Sequence, residues 1–114
     1  MHELPFVESI LQITLEHAEK AGARKVVALD LVIGQMTSIV DDSVQFYWDI
    51  LSRGTLAQGA RLKFQRLLAL YRCQDCGHTY SLDGHHLACP QCDSACVQLV
   101  QGDELRLESI EIEA

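Results

Sequence analysis

A chain of 114 residues, 48% hydrophobic, can bury one modest core, so any second unit within it needs an organising principle other than burial. Nine Lys and Arg against sixteen Asp and Glu give a formal charge of −7, which opposes phosphate-backbone binding, a process driven by clustered cations. No stretch approaches the roughly 18–20 apolar residues of a bilayer span, and the start lacks a basic stretch followed by an apolar one, so a cytoplasmic chain is expected, with neither nucleic acid nor membrane as partner.

The first predicted element is an amphipathic helix over residues 4–21, because Val7, Ile10, Leu11, Thr14, Leu15 and Ala18 fall on one face at helical spacing. Pro5 suits its first turn, and Gly22 suits the left-handed position after its end. Residues 25–34, KVVALDLVIG, are rich in β-branched side chains and alternate, with Val27, Leu29, Leu31 and Ile33 on one side, which predicts a strand. After a loop at 34–40, Asp41 or Asp42 is expected to cap a helix running to Arg53, with Val44, Tyr47, Trp48 and Leu51 as its apolar stripe and Gly54 closing it.

Residues 61–71 read as a second strand leading into a first cysteine pair. Beyond a second pair, residues 95–100 and 104–112 read as short strands separated by a turn at Gln101, Gly102 and Asp103. In the last of these, Leu105 and Leu107 are one step out of phase with Ile110 and Ile112, which suits a bulge near Ser109. Four such side chains need a larger core than a metal-bound loop offers, so the tail is expected to return to the amino-terminal sheet. The expected fold is α+β: a small mixed sheet with two helices plus an inserted zinc-ribbon domain at 69–98, the remainder being 1–68 and 99–114.

The loudest motif is Cys73-x2-Cys76, twelve residues, then Cys89-x2-Cys92. Each such turn presents two sulfurs to one ion at tetrahedral angles, so the four are expected to hold a structural Zn(II). The odd cysteine count and the pairing disfavour a disulfide framework, and a redox pair is the bland alternative. Gly77 just past the first pair eases a tight turn, while Pro90 stiffens the second. Four thiolates and one divalent ion would take the net charge to roughly −9. A closed shell leaves no position for water or substrate, so this metal is expected to fold the segment and not to catalyse. Cys96 falls outside the spacing and is expected to be a small buried residue. His78, His85 and His86 are expected to be solvated loop histidines.

The opening Met1-His2-Glu3 has its own chemistry. The α-amine, the His2 amide nitrogen and His2 Nδ1 can close fused chelate rings, a nitrogen donor set suited to square-planar Ni(II) or Cu(II). Taken alone, a histidine at position 2 is more often simply solvated. The opening MHE and its helix, the IGQM strand end, the RGTLAQG turn, the paired cysteines and the terminal GDELRLESIEIE together resemble the HypA/HybF hydrogenase nickel-incorporation metallochaperones. The resemblance runs nearly end to end.

That resemblance implies a nickel-binding α+β domain beside the zinc ribbon. Nickel would be held by the Met1 amine and backbone with His2, beside Glu3. A further acidic ligand from the loop after the strand end corresponds to Asp41 or to Asp42, Asp41 being the nearest match. The implied role is delivery without catalysis: Ni(II) is transported towards a [NiFe]-hydrogenase large-subunit precursor, with a HypB-type nickel-handling GTPase as partner, and Zn(II) stays structural. Homodimerisation through the ribbon is compatible with this. A nucleic-acid adaptor would need basic and aromatic residues interleaved. A hydrolase using His2, His85 or His86 would need a nucleophile set or phosphate loop that the chain lacks.

Overall fold

The apolar stripe near the amino terminus folds as helix α1, Glu3–Lys20, burying Val7, Ile10, Thr14 and Ala18. In the computed structural model of the chain, which describes residues 3–81 and 87–114, the helix ends on Gly22 with φ +66°. The Gly22 N–H donates to the Glu19 carbonyl at 3.0 Å and the Ala23 N–H to that of Ala18 at 2.9 Å. Two orphan carbonyls of the last turn are thereby satisfied. One buried polar atom is not: Thr14 Oγ1 has no hydrogen-bond partner. Thr14→Val keeps the shape and removes that unpaired hydroxyl, so it is expected to stabilise the fold by about 1 kcal/mol, read as a higher urea midpoint.

Strand β1 occupies Lys25–Gly34, as expected. From Ala28 to Ile33 every side chain except the half-buried Asp30 is buried. A run buried on both parities marks a central strand, and β1 is the middle member of a three-stranded sheet, order β2-β1-β6. The expected loop at 34–40 contains a 3-10 turn, Gln35–Thr37, in which the Thr37 hydroxyl donates to the Gly34 carbonyl at 2.9 Å.

Helix α2, Asp41–Leu51, buries Val44 and Trp48 and packs against α1. Its start corrects the expected cap. Val40 is the N-cap and no side chain caps the helix, because the Val40 carbonyl already accepts from the N–H groups of Ser43 and Val44, both at 3.1 Å. The helix therefore begins one residue earlier than a cap at Asp41 requires. Both aspartates fall inside the first turn, where negative charge still complements the helix dipole. The helix also stops at Leu51, with Ser52 as C-cap, before Gly54 turns the chain at φ +77°.

Residues 61–71 are not one strand. They divide into β2, Arg61–Leu67, and β3, Leu70–Cys73, which belong to different sheets. The break has a tertiary cause: Ala69 is 1% exposed and its N–H donates to Gln35 Oε1 at 2.7 Å, so its backbone is committed outside either ladder. The second sheet, order β4-β3-β5, adds β4, Thr79–Ser81, and β5, Val97–Gln101. Both pair antiparallel with β3, Tyr71 facing Tyr80 on one side and Leu99 on the other.

The last strand, β6, Leu105–Glu113, returns beside β1, as the tail's apolar residues require. Ser109 Oγ donates to Asp30 Oδ2 at 2.7 Å, and the Arg24 N–H donates to the Glu113 carbonyl at 2.9 Å. Burial follows the phase change, with Leu105, Leu107 and Ile110 half-buried, while Ile112 is left 39% exposed. The chain forms two compact units. The first lies within Met1–Val32, Ser38–Gln65 and Arg106–Ala114, and the second comprises Ile33–Thr37 and Arg66–Leu105.

Candidate metal centre

In the second unit, both cysteine pairs close the same kind of turn. In the first, the Cys73 N–H donates to the His78 carbonyl and the Gly77 N–H to that of Cys73, both at 2.9 Å. In the second, the Cys89 N–H donates to the Ser94 carbonyl at 2.9 Å and the Asp93 N–H to that of Cys89 at 2.8 Å. Each turn ends on a left-handed residue, Gly77 at φ +79° and Asp93 at φ +61°. Aspartate tolerates that region better than most residues but less well than glycine. Asp93→Gly is therefore expected to stabilise the second turn by about 0.5 kcal/mol, measurable as slower amide exchange at Cys89.

The four sulfurs lie within 4.8 Å of one another, with Cys73 and Cys92 at 3.4 Å and Cys76 and Cys89 at 3.6 Å. Thiolates around a tetrahedral ion, each about 2.3 Å from it, sit roughly 3.8 Å apart, whereas a disulfide requires about 2.05 Å. All are free thiols, and the set fits a tetrahedral divalent ion such as zinc. Each turn contributes one buried sulfur residue, Cys73 or Cys89, and one exposed, Cys76 or Cys92.

Without metal, Cys73, Cys76 and Cys92 do not ionise alike. The Cys76 backbone N–H holds the Cys73 thiol down at about 6 against the opposing effect of burial. The Ser94 N–H favours a Cys92 thiolate as well, but the neighbouring Cys73 sulfur and burial outweigh it and push Cys92 up to about 12. Cys76 is also raised, because burial and the Cys89 sulfur overcome the His78 backbone N–H. Cys73 thus ionises readily, while Cys76 and Cys92 hold their protons until a cation compensates their charge. Metal capture at neutral pH must therefore release protons, and it weakens as pH falls.

The residues linking the two turns had no signature in the cysteine spacing. The Ser94 hydroxyl donates to the Asp75 carboxylate of the first turn and accepts from the Cys96 N–H at 3.0 Å. The Gln74 N–H reaches the Cys96 carbonyl at 2.8 Å. The only available hint is that Ser94 follows the second pair at the offset at which His78 follows the first. Cys96 stays outside the four-sulfur group, but it is exposed and not buried. Its backbone is bound to both turns. His78 does not join the sulfurs either: its ring stacks on Tyr80 at 6.0 Å, and Tyr80 stacks on Tyr71 at 6.1 Å.

Of the amino-terminal candidates, Met1 and His2 lie outside the described residues, as do His85 and His86. Glu3 opens α1, and its carboxylate accepts from the Val40 N–H at 3.1 Å. Asp41 and Asp42 occupy the first turn of α2, so the hydrogen bond from Val40 joins Glu3 to the residue directly preceding Asp41.

Comparison with known proteins agrees with this geometry. A family model described as hydrogenase/urease nickel incorporation, metallochaperone, HypA, matches residues 1–112. Hydrogenase maturation factor HypA of Dehalococcoides mccartyi is 43% identical over 113 residues, covering 99% of this chain and 95% of the relative. The protein of that name from Caldanaerobacter subterraneus subsp. tengcongensis is 38% identical over 114 residues, covering 99% of this chain and 100% of the relative. The solution structure of the Ni metallochaperone HypA from Helicobacter pylori superposes with a TM-score of 0.66 at 27% identity, over 100% of this chain and 99% of the other. A second HypA solution structure gives a TM-score of 0.73 at 27% identity, covering 98% and 96%. With whole-chain identity of this order and four thiols gathered for one ion, the chain belongs to the HypA family of hydrogenase/urease nickel-incorporation metallochaperones, which are maturation factors and not enzymes.

Proposed function

We propose that this chain binds Ni(II) at its amino terminus and delivers it during maturation of a [NiFe]-hydrogenase, while Cys73, Cys76, Cys89 and Cys92 hold a structural Zn(II). The Met1 amine, the His2 amide nitrogen and His2 Nδ1 form the capture set, with Glu3 beside them and Asp41 as a further acidic ligand. The observation that carries the reading is the hydrogen bond from the Val40 N–H to Glu3 Oε2 at 3.1 Å. It ties the first turn of α1 to the start of α2, so the two acidic candidates come from adjacent backbone within the same unit.

A square-planar nitrogen set leaves the axial directions open, so an acceptor ligand can approach before an existing ligand leaves. Transfer then proceeds by ligand exchange and no covalent bond of a substrate is broken. Zinc, when bound by the four thiolates, supplies folding free energy and no reaction chemistry. The acceptor side comprises a HypB-type nickel-handling GTPase and the hydrogenase large-subunit precursor, all meeting in the cytoplasm. No described helix is long and apolar enough to cross a membrane.

Calorimetric titration of Ni(II) into the wild type and His2→Ala tests the site. Removing an inner ligand is expected to weaken binding by more than the roughly 10–100-fold that losing an outer-sphere partner costs. Unchanged stoichiometry and affinity would sink the assignment.

A further inference from the structure

Helix α2 carries a second feature, on the side opposite its buried residues. Val44 and Trp48 face the core, whereas Phe46 is 60% and Ile50 42% exposed. At 100° per residue Asp42, Phe46, Asp49 and Ile50 share one face, and all four are exposed. A lone exposed leucine needs no explanation, but an aromatic ring and an isoleucine one turn apart form an anchor pair of the kind that inserts into a groove.

The rim of this face is acidic. Asp42 lies one turn before Phe46, and Asp49 lies on its other side, held there by a hydrogen bond from the Gln45 amide at 2.9 Å. Two copies of such a face would bring carboxylates together in a chain already carrying −7, which disfavours self-pairing. The complementary surface is an apolar groove edged by Lys and Arg. The same helix begins at Asp41, directly after the backbone that Glu3 binds.

We infer that the Phe46/Ile50 face of α2 is the docking surface for a partner protein presenting an apolar groove with a basic rim. This rests on the delivery reading in one respect, that the partner is the nickel-handling GTPase proposed above. Docking through α2 would bring that partner to the helix that begins directly after the Val40–Glu3 hydrogen bond.

Titration of the purified GTPase with the zinc-loaded full chain tests it, using the wild type, Phe46→Asp, Asp42→Lys/Asp49→Lys and His2→Ala. Phe46→Asp is expected to weaken docking about thirtyfold or more, as loss of a central aromatic anchor does. The double charge reversal is expected to slow association about tenfold at low salt and to flatten its salt dependence. His2→Ala should dock normally while failing to carry nickel. Because Phe46 is exposed, its variant should keep the wild-type circular dichroism and zinc content. Docking unaffected by Phe46→Asp would overturn the surface and leave the delivery reading intact. No docking by the wild type would overturn the partner and the surface together. A wild-type dimer that Phe46→Asp converts to monomer in light scattering would assign the face to a second copy and also overturn the proposal.

Discussion

Cys89→Ser is expected to yield a protein that retains no zinc and whose second unit, Ile33–Thr37 with Arg66–Leu105, loses amide-exchange protection. The size of the effect follows from how little else holds that unit. Its sheet has strands of four, three and five residues, and small metallo-domains of this kind draw apparent binding free energies of about 10–16 kcal/mol from structural zinc at neutral pH. Cys89 is also buried, and its backbone supports both hydrogen bonds of the second turn. Serine keeps the shape and loses the thiolate. A chelator should reproduce the loss in the wild type, and lowering the pH should favour it, because protons compete with the metal for the thiolates. Exchange protection in β1 and α1 should largely survive. Uniform loss across both units would show that the metal holds the whole fold.

Gly34→Ala is expected to destabilise the second unit by about 3 kcal/mol, read as a lowered denaturant midpoint with zinc bound. A Cβ there would stand 2.0 Å from the Gly102 carbonyl oxygen and 2.2 Å from its carbon. These are backbone atoms that cannot swing away. The approach is fixed by two hydrogen bonds, from the Gly34 N–H to the Glu104 carbonyl at 2.7 Å and from the Met36 N–H to the Gly102 carbonyl at 2.8 Å. Gly102 is constrained in turn, with φ +125° and space for its own Cβ taken by Ala69. The two glycines thus pack against each other, and relief at one requires movement of the other.

That glycine pair shows where sequence reading stops. The IGQM and GDEL segments are visible as motifs, and Gly102 falls in a predicted turn, but nothing local says that residues 34 and 102 touch. Elements governed by their own periodicity were legible in type and place, α1 through its stripe and Gly22 and β1 through its β-branched run, although Val27 of the expected inner side of β1 is 39% exposed while Val26, Ala28 and Val32 of the other side are buried. The four cysteines were legible because tetrahedral coordination imposes spacing. Features decided by tertiary commitments were not. The split at Ala69 depends on Gln35, and the N-cap at Val40 depends on which carbonyl takes the first helical bonds. Asp93 adopts the conformation of Gly77 because its turn demands it, against its own preference. The Glu3–Val40 hydrogen bond spans 37 residues and could not be read from either end alone.

We propose that this chain carries two metals at independent sites, one for structure and one for transport. Metal analysis after nickel loading tests it most directly, comparing the wild type with His2→Ala and Cys89→Ser. About one zinc and one nickel per wild-type chain are expected, with loss of nickel alone in His2→Ala and loss of zinc with nickel still bound in Cys89→Ser. Nickel retained by His2→Ala, or both metals lost together in either variant, would contradict it.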